Sequence, residues 1–192
     1  MSPPDDAPGN PPDNLLVKRV LAGEHDAFHP LIERYQQPLF GYLYRLLGNS
    51  REDAADLLQN VFLKAFQGLS RYDPDRPMAP WLYRIAHNEA ANLIRHRTRK
   101  PEAALTELTA AQVPANKEES PESLQVENQT QDAMRHAIEQ LPAKQRSAVM
   151  LHYYEDCSYA EIAEILQVRP GTVGTLLNRA RSTLEKWLEG EK

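Results

Sequence analysis

Ser158-Tyr159-Ala160-Glu161-Ile162-Ala163-Glu164-Ile165-Leu166-Gln167-Val168-Arg169-Pro170-Gly171-Thr172-Val173 is the stretch on which the fold turns. Ser158, with Glu161 three residues on, forms a capping box, each side chain satisfying a backbone N–H at the start of a helix. Ile162, Ala163, Ile165 and Leu166 give that short helix an inward face. Gln167-Val168-Arg169 ends it, and Pro170 falls at the first position of a new helix, where proline is tolerated. The second helix runs to about Leu188, with Val173, Leu177, Ala180, Leu184 and Leu188 at helical spacing. Two helices across so tight a turn predict a helix-turn-helix, whose second helix enters the major groove with its N-terminal residues at the base edges. Its polar side is read as Thr172, Thr175, Asn178, Arg179 and Arg181, where Asn suits adenine and Arg suits guanine or phosphate. A helical hairpin with a solvated polar face fits the same pattern.

Upstream, the proline positions delimit further helices. Residues 39–73, 81–100, 143–169 and 171–192 are proline-free, and strand-like alternation is visible nowhere over a useful length. A helical stripe over 14–37, broken near Gly23, carries Leu16, Val20, Leu21, Phe28, Leu31, Ile32 and Tyr35. Pro38 to Leu47 forms a second segment, which Gly48-Asn49-Ser50 ends while offering a cap to the next. Residues 51–68 carry a broad apolar face, Arg71 to Pro80 reads as a loop, and Trp81 to Arg97 is helical again. The fold class expected is all-α. A disordered tail (1–13) precedes a helical domain (14–100), a flexible acidic linker (101–137) with helix beginning near Gln129, and a smaller helical domain (138–190).

The 192 residues carry 22 Lys+Arg against 27 Asp+Glu, a formal net charge of −5. That average argues against a nucleic-acid binder until it is divided along the chain. Residues 1–14 hold −3 and residues 101–137 hold −5, while residues 15–100 hold +4 and residues 138–192 hold −1. The acidity sits in the tail and linker. Cys157 is the one cysteine, which rules out an intramolecular disulfide framework and any cysteine-based zinc cluster. It reads as a small buried or half-buried thiol. His25 and His29 stand four apart without the glutamate of a zinc-protease motif, and neither a phosphate-binding glycine loop nor a nucleophile elbow occurs. No catalytic group, metal or cofactor is expected. No apolar run approaches the ~18 residues that span a bilayer, and the acidic, proline-rich start is unlike a signal peptide. The expected location is cytoplasmic.

Two segments of the larger domain suggest binding. Glu52, Asp53 and Asp56 open the 51–68 helix, followed by Gln59 and Asn60. Early acids suit the helix dipole and equally suit contact with a basic partner. Tyr72, Trp81 and Tyr83 lie on or beside the proline-rich loop, among Arg71, Arg76, Arg84, Arg95, Arg97, Arg99 and Lys100. Aromatic groups interleaved with bases suit stacking on unpaired nucleotides. Trp81 by itself reads as a core anchor, and the 95–100 cluster as nucleic-acid-facing. Asn88 and Asn92 share one helix face.

With both modules in view, the chain resembles an extracytoplasmic-function (ECF, group IV) sigma factor of the sigma-70 family. Asp53-Ala54-Ala55-Asp56-Leu57-Leu58-Gln59-Asn60-Val61-Phe62-Leu63-Lys64-Ala65-Phe66 is similar to region 2.2 of that family. Trp81-Leu82-Tyr83-Arg84-Ile85-Ala86-His87-Asn88 is similar to regions 2.3 and 2.4. Leu141-Pro142, Tyr159 to Ala163, Gly171-Thr172-Val173 and Arg179-Ala180-Arg181 are similar to region 4.

The resemblance implies a bacterial RNA polymerase subunit that recognises −10 and −35 promoter elements and promotes melting. It implies docking on the β′ clamp helices of core RNA polymerase through Asp53, Asp56, Leu57, Gln59 and Phe62. It implies −10 contacts from Tyr72, Trp81, Arg84, Asn88, Asn92, Arg95 and Arg97, with Asn88 in the pocket that holds an extruded base. It implies −35 contacts from Arg169, Thr172, Thr175, Asn178, Arg179 and Arg181, a further contact with the β flap, and an anti-sigma factor that holds the protein inactive, at the membrane in some cases, without stable membrane insertion of the chain itself. Ala55 and Asn60 stand where the family often has acids, and Gly174 and Leu176 where it usually has basic or polar residues. The competing reading is a non-sigma helix-turn-helix regulator with an N-terminal helical sensor domain, which has no reason to carry the 53–66 and 81–88 segments.

Overall fold

The computed structural model describes residues 11–99, 134 and 136–190. Among them no strand occurs. Helix α1 (Asp13–Leu21) buries Leu16, Val17 and Val20. It begins on the last residue of the expected tail, because Asp13 is held there. The Tyr35 hydroxyl donates to its carboxylate at 2.5 Å. Arg34 pairs with it as well and donates to the Pro11 carbonyl at 2.9 Å. The rest of the expected tail, residues 1–10, lies outside the described residues.

Gly23, at φ +99°, turns the chain into a 3-10 turn (His25–Phe28) and then into α2 (His29–Leu46). The expectation of a boundary at Pro38 is corrected here, since α2 passes through it. A proline inside a helix costs about 3 kcal/mol through a lost hydrogen bond and a ring clash. Burial of Leu31, Tyr35, Leu39, Tyr42, Leu43 and Leu46 on one face exceeds that; each such side chain contributes roughly 1.5–3 kcal/mol. Gly48 and Asn49 both take positive φ, +69° and +63°, and end the helix as expected. Ser50 caps α3 (Arg51–Gly68) by accepting from the Asp53 N–H.

A second 3-10 turn (Leu69–Arg71) leads into a loop and then α4 (Met78–Arg99). The helix starts three residues before Trp81, where the loop was expected to continue. Pro80 is no obstacle, because the N–H groups of a first helical turn have no intrahelical acceptor. Helices α2, α3 and α4 pack on one another.

The second module comprises a helical segment at 136–139 and three helices, α5 (Ala143–Tyr153), α6 (Tyr159–Leu166) and α7 (Pro170–Gly190). The helix expected to begin near Gln129 falls outside the described residues until Met134. The capping box forms as read, with both the Ser158 and Glu161 bonds present. Ile162, Ala163, Ile165 and Leu166 are all buried. The turn between the helices is made by Gln167 in the left-handed region, φ +52°. Cys157 is buried, and burial pushes its thiol pKa up to about 12.

The modules also pack on each other, α4 against α6 and α2 against α5, and one apolar core continues through both. Arg146 ties α2 to the second module, donating to the carbonyls of Leu46 (3.1 Å), Leu141 (3.3 Å) and Glu139.

Candidate nucleic-acid interface

Three helix faces carry the residues singled out by the sequence. On α3, the exposed residues Asp56, Gln59, Asn60 and Leu63 follow i, i+3, i+4, i+7 spacing and so form one stripe. Leu57 and Phe62, expected as contacts for a partner, are instead buried. They hold the stripe in place from behind. Leu63 and Phe66 are the exposed apolar residues of α3, and sequence reading missed them. Angular position was the available signal, because a helix whose apolar set spans so wide an arc must leave part of it outside. Asp53 faces α4, where Arg97 grips its carboxylate with two bonds of 2.8 and 2.6 Å. Partial burial pushes the Asp53 carboxyl up, but hydrogen bonds from Arg97 and Ser50, with the Arg97 charge, outweigh it and hold the pKa below the usual value. Lys64 on α3 and Glu89 on α4 add a second strap at 2.6 Å.

On α4 the expected aromatic and basic cluster divides. Tyr72 is buried, its hydroxyl donating to the Arg76 carbonyl and its ring 4.8 Å from the Trp81 ring. Burial pushes its phenol pKa up to about 12. Trp81 is half-buried against Tyr72 and Gly68, between the anchoring role and the stacking role considered for it. Tyr83 is fully buried and donates to Glu155 at 2.5 Å, so it cannot stack on a nucleotide in this arrangement. One face of α4 keeps Asn88, Asn92 and Arg95 exposed, with Arg84 half-buried, while Arg97, exposed as well, lies about half a turn from Asn88, on the side toward α3. The Asn92 side-chain oxygen accepts from Arg95 at 2.5 Å. Of the seven residues expected at a −10 element, five thus share an accessible helix, while Tyr72 and Trp81 pack beneath its start.

On α7 the inward residues are Val173, Leu177 and Ala180. Thr172, Thr175, Asn178 and Arg179 are exposed on the opposite side, and Arg169 is exposed at the turn. The Thr175 hydroxyl donates to the Gly171 carbonyl at 3.3 Å. Arg181, expected on the same face, lies elsewhere. It sits at the edge of an apolar cleft and binds Glu185 at 2.8 Å. One hundred degrees per residue places it about half a turn from Thr172. Ser182 and Lys186, exposed and seven residues beyond Thr175 and Arg179, continue the reading face and were missed. The cleft is about 520 Å³, lined by Met134, Ile138, Val149, Tyr153, Leu177 and Leu184 among others.

Among the described residues no group of three or more His, Cys, Asp or Glu side chains is placed to hold a metal ion, and no helix is long and apolar enough to cross a membrane.

An acid-tipped helix strapped to a basic one, with a helix-turn-helix behind them, defines a class of two-module helical transcription factors. Residues 31–100 match the family described as Sigma-70 region 2, and residues 131–184 match Sigma-70, region 4. The chain is 34% identical over 182 residues to the RNA polymerase sigma-H factor of Pseudomonas aeruginosa, covering 92% of this chain and 94% of that one. It is 35% identical over 179 residues to the ECF RNA polymerase sigma factor SigW of Bacillus subtilis, covering 90% and 94%. Its fold is similar to that of CnrH, solved in complex with the cytosolic domain of CnrY, with a TM-score of 0.68 and 25% identity over 94% of this chain and 99% of that one. The chain belongs to the ECF sigma factors of the sigma-70 family.

Proposed function

We propose that this chain is the subunit that directs core RNA polymerase to a set of promoters and helps open them. The observation that carries this reading is the α3 stripe of Asp56, Gln59, Asn60 and Leu63 next to the basic α4. A stand-alone helix-turn-helix regulator has no use for either. In this reading the stripe docks on the β′ clamp helices, Leu57 and Phe62 support it from the core, and Asp53 fixes Arg97. Asn88 receives the extruded −10 base, while Arg84, Asn92, Arg95 and Arg97 take the neighbouring strand and its phosphates. Unstacking a base costs a few kcal/mol, offset by pocket and stacking contacts. Trp81 and Tyr72 form the floor beneath that site. Thr172, Thr175, Asn178 and Arg179 read the −35 duplex, with Arg169 at the adjoining backbone. The apolar cleft beside α7 takes an apolar element of the β flap, and Arg181 sits at its rim.

The domain assignment that goes with this is a promoter-melting module up to residue 100 and a −35 module from 138, joined through an acidic linker. The chain acts in the cytoplasm as a binding factor and not as a catalyst. An anti-sigma factor that covers these faces is the expected regulator; a structure of similar fold, the sigma factor RpoE of Bartonella quintana, was solved with the anti-sigma factor NepR. Run-off transcription with purified core enzyme and promoters from the same genome tests the reading. Specific transcripts appearing only when the chain is added support it, and failure to form a stable complex with core enzyme overturns it.

A further inference from the structure

His152 and Tyr153 close α5, and Tyr159 opens α6. Their three rings form one cluster on the surface of the second module. The His152 ring lies edge-on to Tyr153 at 4.8 Å and to Tyr159 at 5.4 Å. Burial does not account for the grouping, because Tyr153 is 66% exposed and Tyr159 47%. The cluster borders the flank of α7. A Cβ at Gly174 would lie 3.8 Å from the Tyr159 ring, so no side chain stands between that ring and the α7 backbone. Gly174 precedes Thr175 and lies four residues before Asn178, so the rings adjoin the reading face. In a helix-turn-helix on DNA the second helix occupies the groove and the helix before it crosses the backbone. The wall of the groove on this side is therefore sugar and phosphate.

His152 is the member of the cluster that can change charge near neutrality. Its Nδ1 lies 3.4 Å from the Cys157 carbonyl. A carbonyl only accepts, so Nδ1 carries the proton of the neutral ring and Nε2 holds a lone pair. Among the described residues Nε2 has no partner. A lone pair repels a phosphate oxygen. A second proton turns Nε2 into a donor and gives the ring a positive charge, a change that imidazoles make between about pH 5 and 8. The acids of this corner are Glu155, Asp156 and Glu161, gathered round Cys157. Glu155 turns inward to Arg45 and Tyr83, and Glu161 accepts from the Ser158 N–H at 2.8 Å. From α7, Arg181 stands beside Tyr153 and is paired with Glu185. Among the described residues no carboxylate pairs with the imidazole, so an incoming phosphate meets no competitor there.

We propose that His152 is a proton-dependent phosphate contact of the −35 module: seated between Tyr153 and Tyr159 beside the reading face, its imidazole grips the DNA backbone when protonated and lets go when neutral. The proposal rests on the reading of α7 as the −35 helix. The two tyrosines fix the position of the imidazole, and the Cys157 carbonyl fixes which nitrogen meets the phosphate. The contact carries no sequence information. Its consequence is that the hold on every −35 element tightens together as the pH falls toward 6, where one more phosphate is neutralised.

The experiment titrates the full chain with a duplex carrying the −35 element of a promoter that it transcribes in run-off. Wild type is expected to bind about tenfold more tightly at about pH 6 than at about pH 8, with a salt slope steeper by about one at the lower pH. His152→Gln is expected to bind at both pH values as wild type does at the higher one. His152→Arg, which keeps a charge throughout, is expected to bind at both as wild type does at the lower one. Linkage requires bound duplex to raise the proton affinity of His152 by the same factor, about tenfold. The pH midpoint of its imidazole NMR signals should therefore move up by about one unit on adding duplex. That measurement needs wild type alone and decides the matter should a variant fail to fold. The proposal is overturned if His152→Gln keeps the wild-type pH dependence, or if duplex leaves the midpoint where it was; the rings are then surface packing only. Run-off that persists alongside either result leaves the transcription reading standing. If no promoter of the same genome is transcribed, the transcription reading falls, and the same titrations on genomic duplex still decide the phosphate contact.

Discussion

Helices α4 and α7 are the two nucleic-acid-facing helices proposed here, and their polar side chains are held differently. On α4 they are braced. Arg97 is clamped by Asp53, Asn92 accepts from Arg95, and Glu89 is strapped to Lys64. On α7 the reading face of Thr172, Thr175, Asn178 and Arg179 stands away from the rest of the protein, with only local bonds such as that from Thr175 to Gly171. The difference follows from the tasks proposed for them. Holding an unpaired base needs a preset pocket, because the binding energy must also offset unstacking. Reading intact duplex needs a helix that fits the groove, with side chains that adjust to base edges.

The strongest test acts where the module carrying α4 meets the module carrying α7. His87 is buried between Tyr42 and Ser147, and burial, aided by the Lys144 charge, lowers its pKa to about 4. An exposed histidine titrates near 6.5, so between these values the open or unfolded chain binds the proton that the packed chain refuses. Stability of the packed form is therefore complete above pH 6.5, falls as the pH drops toward 4, and is level below that. The loss amounts to roughly 3 kcal/mol. Urea unfolding of wild type and His87→Gln across this range checks it; the variant should lack most of the slope.

Next in size is Asn88→Ala, expected to weaken open-complex formation by about 2 kcal/mol, some thirtyfold, while −35 duplex binding is unchanged. Permanganate footprinting beside a duplex-binding assay separates the two, and equal loss in both would point to misfolding. The two arginines of α7 sharpen the contrast further. Arg179→Ala is expected to cost about 1.5 kcal/mol of −35 binding and to reduce the salt slope by about one. Arg181→Ala, paired with Glu185 at the cleft, should leave that slope as it was. Titrations at several salt concentrations report both. Asp53→Ala should have the smallest effect of this group, about 0.5–1 kcal/mol of stability, because its bond to Arg97 is partly exposed. Thermal unfolding measures it.

What could be read in advance was local. The Ser158–Glu161 box, Pro170 at a helix start and Gly48-Asn49-Ser50 each act over three or four residues, and each formed as read. Pro38 was misread because its local cost is offset by core contacts from other helices, which no window around it contains. Tyr83 looked like a stacking residue until its partner, Glu155, came into view 72 residues away. Asp53 and Arg97 were assigned to different partners, and their separation of 44 residues hid that they bind each other. The misplacement of Arg181 had a different origin. Its angle from Arg179 was computable from the sequence, and its place at the cleft edge agrees with that angle.

Gln167 carries a further consequence. A side-chained residue in the left-handed region loses roughly 1 kcal/mol relative to glycine, part of which glycine gives back in the unfolded chain. Gln167→Gly should therefore raise the melting temperature slightly without moving the reading face, as calorimetry would detect. The helix-turn-helix thus folds somewhat below the stability its backbone permits, and Gln167→Gly would supply a reserve against the cost of substitutions on α7.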